Sequence, residues 1–262
     1  MKLAGKVALI TGGGSSIGRA IAVHLAELGA KIVIADIDEA RCDEAVRTVV
    51  ESGGAATASN VDVTDEDQVQ TMIGDAIVSY GALHVLINGA SHHVDGDALT
   101  MGNDAWRKSL QVNLESAWLC TRYAAPFLKT SGSGSVIHLA QSDVLQSMPR
   151  RFPYSVTRSG ILAMSRALSI DFGPQGIRSN VVVVGYIQTN HSERELAESS
   201  DPEGDFRRIL SVHPLGRVGA ARDVARATAF LASDDSSFIT GSVLTVDGGR
   251  SAVIQDLHNW VS

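Results

Sequence analysis

Tyr154 and Arg158 stand four residues apart in a stretch with helical periodicity, so their side chains share one helix face. A phenol beside a guanidinium is a candidate proton donor and acceptor, because a neighbouring positive charge favours the phenolate form. Such a pair is also an ordinary surface contact of a helix. Its place just after the strand-like run Ser135 to Ala140 is what marks it out. A second set of residues points to a phosphate-bearing ligand. Gly12, Gly13 and Gly14 follow the apolar run that holds Val7, Leu9 and Ile10, and Ser15, Ser16 and Ile17 lead to Gly18. Ile17, Ile21, Leu25 and Leu28 then recur at helical spacing until Gly29, and a strand from Ile32 to Ala35 ends on Asp36. Strand, glycine-rich turn, helix, strand and acid are the parts of a dinucleotide site. The turn and the positive end of the helix would face a pyrophosphate, and Asp36 would accept hydrogen bonds from ribose hydroxyls. The same glycines would also serve a tight βαβ connection that binds nothing.

These residues need a scaffold, and the chain alternates strand and helix throughout. Helices are expected over 39–52, 66–80, 104–128, 154–172 and 222–232, and further strands over 56–60, 83–87, 135–140, 178–184 and 242–246. That rhythm predicts an α/β fold: one Rossmann-like, doubly wound parallel sheet with helices on both faces. A single domain over 1–262 is expected, since no linker, repeat or low-complexity tract interrupts the pattern. Residues 186–213 differ in texture, being polar with few apolar anchors, and read as a substrate lid or as an exposed loop with short helices and no gating role.

In open parallel sheets, ligands bind beyond the carboxyl ends of the strands. The six strand ends would deliver the glycine turn, Asp36, Asp62-Val63, Asn88-Gly89-Ala90, Gln141-Ser142, and Gly185 through Ile187 to Thr189. His92 and His93 follow the fourth strand and either border a substrate pocket or are plain loop histidines. Phe152 and Tyr186 are candidate pocket walls. His138, inside a strand, reads as a satisfied core histidine, and Trp106 and Trp118 as packing or interface residues.

The chain has 262 residues, 44% of them hydrophobic and 19% charged, with a formal net charge of −7, in keeping with a soluble protein. That charge disfavours nucleic acid and anionic membranes as partners. No apolar run approaches membrane-spanning length, strand pattern begins near residue 6 without room for a signal peptide, and the two cysteines, Cys42 and Cys120, suit a reducing cytoplasm. No His/Asp/Glu cluster has metal-binding spacing.

Over nearly its whole length the sequence resembles the short-chain dehydrogenase/reductase family. The resemblance rests on Thr11-Gly12-Gly13-Gly14-Ser15-Ser16-Ile17-Gly18, on Asp62-Val63 and on Asn113 within Val-Asn-Leu. Tyr154, Pro214-Leu215-Gly216-Arg217, and Thr240-Gly241 through Asp247-Gly248-Gly249 complete it. It implies an NAD- or NADP-dependent oxidoreductase acting on an alcohol or carbonyl, with Tyr154 as general acid/base and Asn113 as a water or relay anchor. It also implies a homotetramer joined through two long helices. Asp36 favours the free ribose 2′-OH of NAD.

Several positions depart from the family pattern. Ser16 stands at a usual glycine, Val184 at a usual proline, and Asn88-Gly89-Ala90-Ser91 where the family has Asn-Asn-Ala-Gly. Gln141 occupies the catalytic serine position and Arg158 the lysine position. Gln141 can still donate a hydrogen bond to a substrate oxygen, from a longer arm. Arg158 can bind a nicotinamide ribose and favour a phenolate, but it does not readily release a proton. The reading is therefore a retuned Asn113-Gln141-Tyr154-Arg158 site acting on a small molecule. The alternative is a nucleotide-binding protein without redox turnover, regulatory, structural or redox-neutral. Arginine at this place also resembles the halohydrin dehalogenases, which use Ser, Tyr and Arg without nicotinamide.

Overall fold

The protein is described by a computed structural model covering residues 1–253; the remainder of the expected 1–262 span, residues 254–262, lies outside the described residues. Its first strand, β1 (Val7–Thr11), alternates two buried faces. Ala8 and Ile10 pack into one core with α1 (Ser16–Glu27), while Val7 and Leu9 pack into the other. The same two-fold alternation runs through β2 (Lys31–Asp36), with Ile32 and Ile34 on the α1 side and Val33 and Ala35 opposite. Strands buried on both faces in this way belong to parallel sheets covered by helices on each side. Burying each such isoleucine or leucine contributes about 1.5–3 kcal/mol.

The chain continues through α2 (Glu39–Glu51), β3 (Ala55–Asn60), α3 (Glu66–Tyr80), β4 (Val85–Asn88) and α4 (Asn103–Leu110). A π-helical turn (Gln111–Glu115) joins α4 to α5 (Ser116–Thr130), and β5 (Gly134–Gln141) leads by a 3₁₀ turn (Ser142–Val144) to α6 (Phe152–Phe172). Then come β6 (Ile177–Val184), β7 (Ile187–Gln188), α7 (Asn190–Ala197), α8 (Pro202–Ser211), β8 (Gly219–Ala220), α9 (Ala221–Ala232) and β9 (Val243–Val246).

Seven strands form one parallel sheet in the order β3-β2-β1-β4-β5-β6-β9. From β1 the chain first builds outward to β2 and β3, then returns to add β4 on the other side. That reversal opens a crevice beyond the carboxyl ends of β1 and β4, the place where such sheets bind ligands. Side-chain carboxylates start α2 and α3: Asp38 accepts from the Arg41 N–H and Asp65 from the Gln68 N–H.

The expected continuous helix over 104–128 is not what the chain forms. The π-helical turn interrupts it, with the fully buried Asn113 at its centre. The polar stretch 186–213 holds the short helices α7 and α8 together with β7, which pairs with β8. Cys42 and Cys120 are free and buried, and burial pushes their thiols up to about 11 and about 12, as packing residues require. Among the described residues, no helix is long and apolar enough to cross a membrane, and no group of three His, Cys, Asp or Glu could hold a metal ion.

Candidate active site

The glycine turn joins β1 to α1 at distances only glycine tolerates. A Cβ on Gly18 would lie 2.3 Å from the Gly12 carbonyl oxygen, and one on Gly12, at φ +66°, would lie 2.8 Å from the Gly89 carbonyl oxygen. Ser15 caps α1, its Oγ accepting from the Gly18 N–H at 3.0 Å and donating to the Gly12 carbonyl at 2.7 Å. The N–H groups of Ser16 and Ile17, in the first turn of α1, lie beyond the reach of intrahelical acceptors. Asp36 closes the cradle. Its Oδ2 accepts from the Gly14 N–H at 3.1 Å, which holds the carboxylate against the turn.

The ends of β1 and β4 are tied together by Thr11, whose Oγ1 accepts from the N–H groups of Gly89 and Ala90 at 3.1 and 3.3 Å. Thr11 was visible to sequence reasoning only as part of the glycine motif. The signal available was a hydroxyl on the last residue of an otherwise apolar strand. At the end of β3, Asp62 accepts from the Thr64 N–H and hydroxyl at 2.9 and 2.7 Å, and Val63 is buried. Burial raises the Asp62 carboxyl, but those hydrogen bonds and Lys108 outweigh it and leave it below the usual carboxylate range. The Asn88 side chain turns inward, where its amide donates toward Thr121 Oγ1 at 3.2 Å and also meets His138 Nδ1 at 3.2 Å. Of that strand end, only the backbone of Gly89 and Ala90 faces the glycine turn.

Tyr154 and Arg158 lie in the first turns of α6, each only 4% exposed. The guanidinium carbon sits 5.3 Å from the phenol ring centroid. Arg158 Nη2 donates to the Ala90 carbonyl at 3.0 Å and Nη1 to the Leu139 carbonyl at 3.2 Å, so the side chain bridges β4 and β5. Its Nε is buried without an acceptor among the described residues. The Tyr154 hydroxyl lies 3.2 Å from Ser91 Oγ. Asn113 grips the next residue from both sides: its Oδ1 accepts from the His92 N–H and its Nδ2 donates to the His92 carbonyl, both at 2.8 Å. The π-helical turn is what aims Asn113 at this loop.

His93 covers the phenol, ring centroids 5.1 Å apart. Arg151 Nη1 donates to its Nδ1 at 2.9 Å, which places the ring proton on Nε2, 3.1 Å from Asp95 Oδ1. Burial and then the Arg151 charge hold the His93 imidazole below its ordinary value, so it is neutral at pH 7. Asp143, buried beside this group, has its carboxyl raised by desolvation against the opposing pull of Arg151, Arg250 and His93. Arg151 and Asp143 were not singled out from sequence, because an isolated charge in a loop carries no pattern.

The remaining candidates divide. β5 ends at Gln141, which is exposed, and the buried Ser142 opens the following 3₁₀ turn. Phe152 stacks on Trp106 with centroids 5.6 Å apart and is 40% exposed. Tyr186 is half-buried, and its hydroxyl lies 3.5 Å from the Ser192 carbonyl. Ile187 is buried in β7, and Thr189 caps α7, accepting from the Ser192 N–H at 3.2 Å. The His92 ring is exposed.

The chain is similar to known proteins over most of its length. A family model described as Enoyl-(Acyl carrier protein) reductase matches residues 12–251. Cyclohexanol dehydrogenase from Acinetobacter sp. (strain SE19) is 32% identical over 252 residues, covering 96% of this chain and 97% of its own. A crystal structure provisionally assigned as a short-chain dehydrogenase/reductase from Burkholderia xenovorans superimposes with a TM-score of 0.93 at 32% identity, over 97% of this chain and 99% of that one. NAD+-bound xylitol dehydrogenase gives a TM-score of 0.89 at 27% identity, over 95% and 100%.

Proposed function

Because this chain belongs to the short-chain dehydrogenase/reductase family and is an oxidoreductase, we propose that it moves hydride between NAD and an alcohol or carbonyl. The observation that carries the proposal is the Tyr154 hydroxyl, set beside the Arg158 guanidinium at the crevice formed by the ends of β1, β4 and β5. A dinucleotide fits the residues present, since the close-packed glycine turn between β1 and α1 brings the helix start, with its Ser16 and Ile17 N–H groups free of intrahelical acceptors, to the crevice.

Gly12, Gly14, Ser15, Ser16, Ile17 and Gly18 would hold the pyrophosphate. Asp36 would accept from the adenosine ribose hydroxyls and repel a 2′-phosphate, which is the reason for choosing NAD over NADP. Asp62 and Val63 would border the adenine. The backbone of Gly89 and Ala90, with Ile187 and Thr189 from the lid, would border the nicotinamide half, and Asn88, its side chain turned inward to Thr121 and His138, would support that strand end from behind. Nicotinamide supplies hydride acceptance or donation when bound. Tyr154 Oη takes the alcohol proton in the oxidative direction and returns it in the reductive one. Arg158 stabilises the phenolate by its charge and, with Nη1 and Nη2 already on backbone carbonyls, has its Nε and remaining protons for a ribose hydroxyl. Gln141 faces the substrate as a donor. Asn113 anchors the loop beneath them.

The whole of 1–262 acts as one domain in this reading, with 186–213 as the lid over a small-molecule pocket walled by Ser142, His92, His93, Phe152 and Tyr186. The protein is cytoplasmic and tetrameric in the same reading. Exposed Trp118 and Phe127 on α5, and Val156 and Ile170 on α6, supply apolar contact for the tetramer. Calorimetric titration with NAD and NADP, followed by a screen of alcohols for NADH formation, tests the proposal. Binding of NAD together with turnover of at least one alcohol is expected. NAD binding without turnover across a broad screen would favour a non-redox nucleotide-binding role.

A further inference from the structure

Ser91 is, with Gly89, one of two residues at which the fourth strand end leaves the family pattern, and its Oγ lies 3.2 Å from the Tyr154 hydroxyl. Two other side chains of the site fix the residues on either side of it. Arg158 Nη2 fixes the carbonyl of the preceding Ala90 at 3.0 Å, and Asn113 fixes both backbone groups of the following His92 at 2.8 Å. Ser91 is thus clamped on either side, with only its own side-chain torsion free. Its side chain is exposed at the crevice while Tyr154 is buried behind it. The 3.2 Å separation is long for an O–H···O bond, whose usual length is about 2.7–2.8 Å. A hydroxyl held at that length exchanges partners readily.

Resting on the hydride-transfer reading above, we propose that Ser91 is a catalytic hydroxyl of this site. It is the second donor to the reacting substrate oxygen, beside Tyr154. A serine hydroxyl offers one proton and two lone pairs, so it can accept from neutral Tyr154 at rest and donate to an oxygen in the crevice when substrate binds. Alcohol oxidation would start from the Tyr154 phenolate, its resting proton having left to solvent water: the substrate O–H bond then breaks and its proton passes to Tyr154 Oη, while the carbon-bound hydrogen would leave with its electron pair to an oxidised nicotinamide bound in the crevice. Ser91 keeps its proton throughout and donates to the oxygen on which negative charge develops. The hydroxyl absent at Gln141 on β5 is in this way replaced by one at the end of β4. Gln141, exposed at the end of its strand, orients the outer part of the substrate.

The test has two arms on the intact protein: wild type, Ser91→Ala, Ser91→Thr, Gln141→Ala and Tyr154→Phe. In the first, phenolate absorbance is followed against pH, with Tyr154→Phe identifying the Tyr154 contribution. Loss of a donor to the phenolate should move that contribution upward by roughly half to one pH unit in Ser91→Ala, with Ser91→Thr restoring it. In the second, NAD affinity should stay within about twofold while kcat falls on the order of 10²-fold in Ser91→Ala and less in Gln141→Ala. An unmoved Tyr154 titration in Ser91→Ala, or kcat within about twofold of wild type, would overturn the assignment. Failure of the hydride-transfer reading itself looks different: wild type then turns over no alcohol with NAD, and the titration arm still decides whether Ser91 bonds Tyr154.

Discussion

Burial holds His138 neutral beneath the site, and desolvation together with Arg158 brings its imidazole down to about 3 from 6.5. The unfolded chain therefore takes up a proton that the folded chain refuses. This contribution to stability is complete above pH 6.5 and is lost as pH falls toward 3, with a slope of up to ~1.4 kcal/mol per pH unit. His138→Asn should remove that dependence. In urea unfolding at pH 7 and pH 5, wild type should lose about 2 kcal/mol more stability over the interval than the variant. Equal losses would show that His138 is not the group responsible. At the same scale, Asp36→Ala should weaken NAD binding about 10–100-fold, since it deletes a charged acceptor, and should narrow any discrimination against NADP. Calorimetric titration with both cofactors reads this directly. Tyr154, Arg158 and Asp36 were legible in the sequence because each ends or follows a recognisable element. The Ser91–Tyr154 and Arg151–His93 contacts were not, since they join residues 63 and 58 positions apart with no periodicity to link them.

Among the elements, α1 and the π-helical turn decide the geometry. Gly18→Ala would drive a Cβ to 2.3 Å from the Gly12 carbonyl oxygen, so α1 must move away from the turn. A fall in thermal midpoint on the order of 5 °C and at least about tenfold weaker NAD binding are expected, by calorimetry of both kinds. Asn113→Ala frees the His92 backbone and leaves buried polar groups unpaired, at a cost of about 1–3 kcal/mol. Its kcat should fall more than its NAD affinity, because the clamp lies on the Tyr154 side of the crevice. Elements with strong punctuation were read closely: α3 begins after Asp65 and ends before Gly81, and its bounds are those the sequence suggested. The interruption at Gln111–Glu115 left no such mark. A π-turn adds one residue to a helix without a glycine or proline to announce it.

At the scale of the whole molecule, strand–helix alternation sufficed to read a parallel sheet and to place ligands beyond its carboxyl ends. Strand order needed the structure, and with it came the reversal at β1 and β4, where Asp36 accepts from the glycine turn and Arg158 donates to the Ala90 carbonyl. The exposed apolar residues of α5 and α6 belong to the same scale. Light scattering should give four copies per particle, and Trp118→Glu with Ile170→Glu should reduce that number while leaving NAD affinity within about twofold. The central claim is that Tyr154 carries the proton of an NAD-linked hydride transfer. The most direct measurement compares wild type and Tyr154→Phe on one alcohol that wild type oxidises, with NAD affinity measured in parallel. The expected result is NAD affinity within about twofold and kcat lower on the order of 10²-fold or more. Turnover in Tyr154→Phe equal to that of wild type would contradict it.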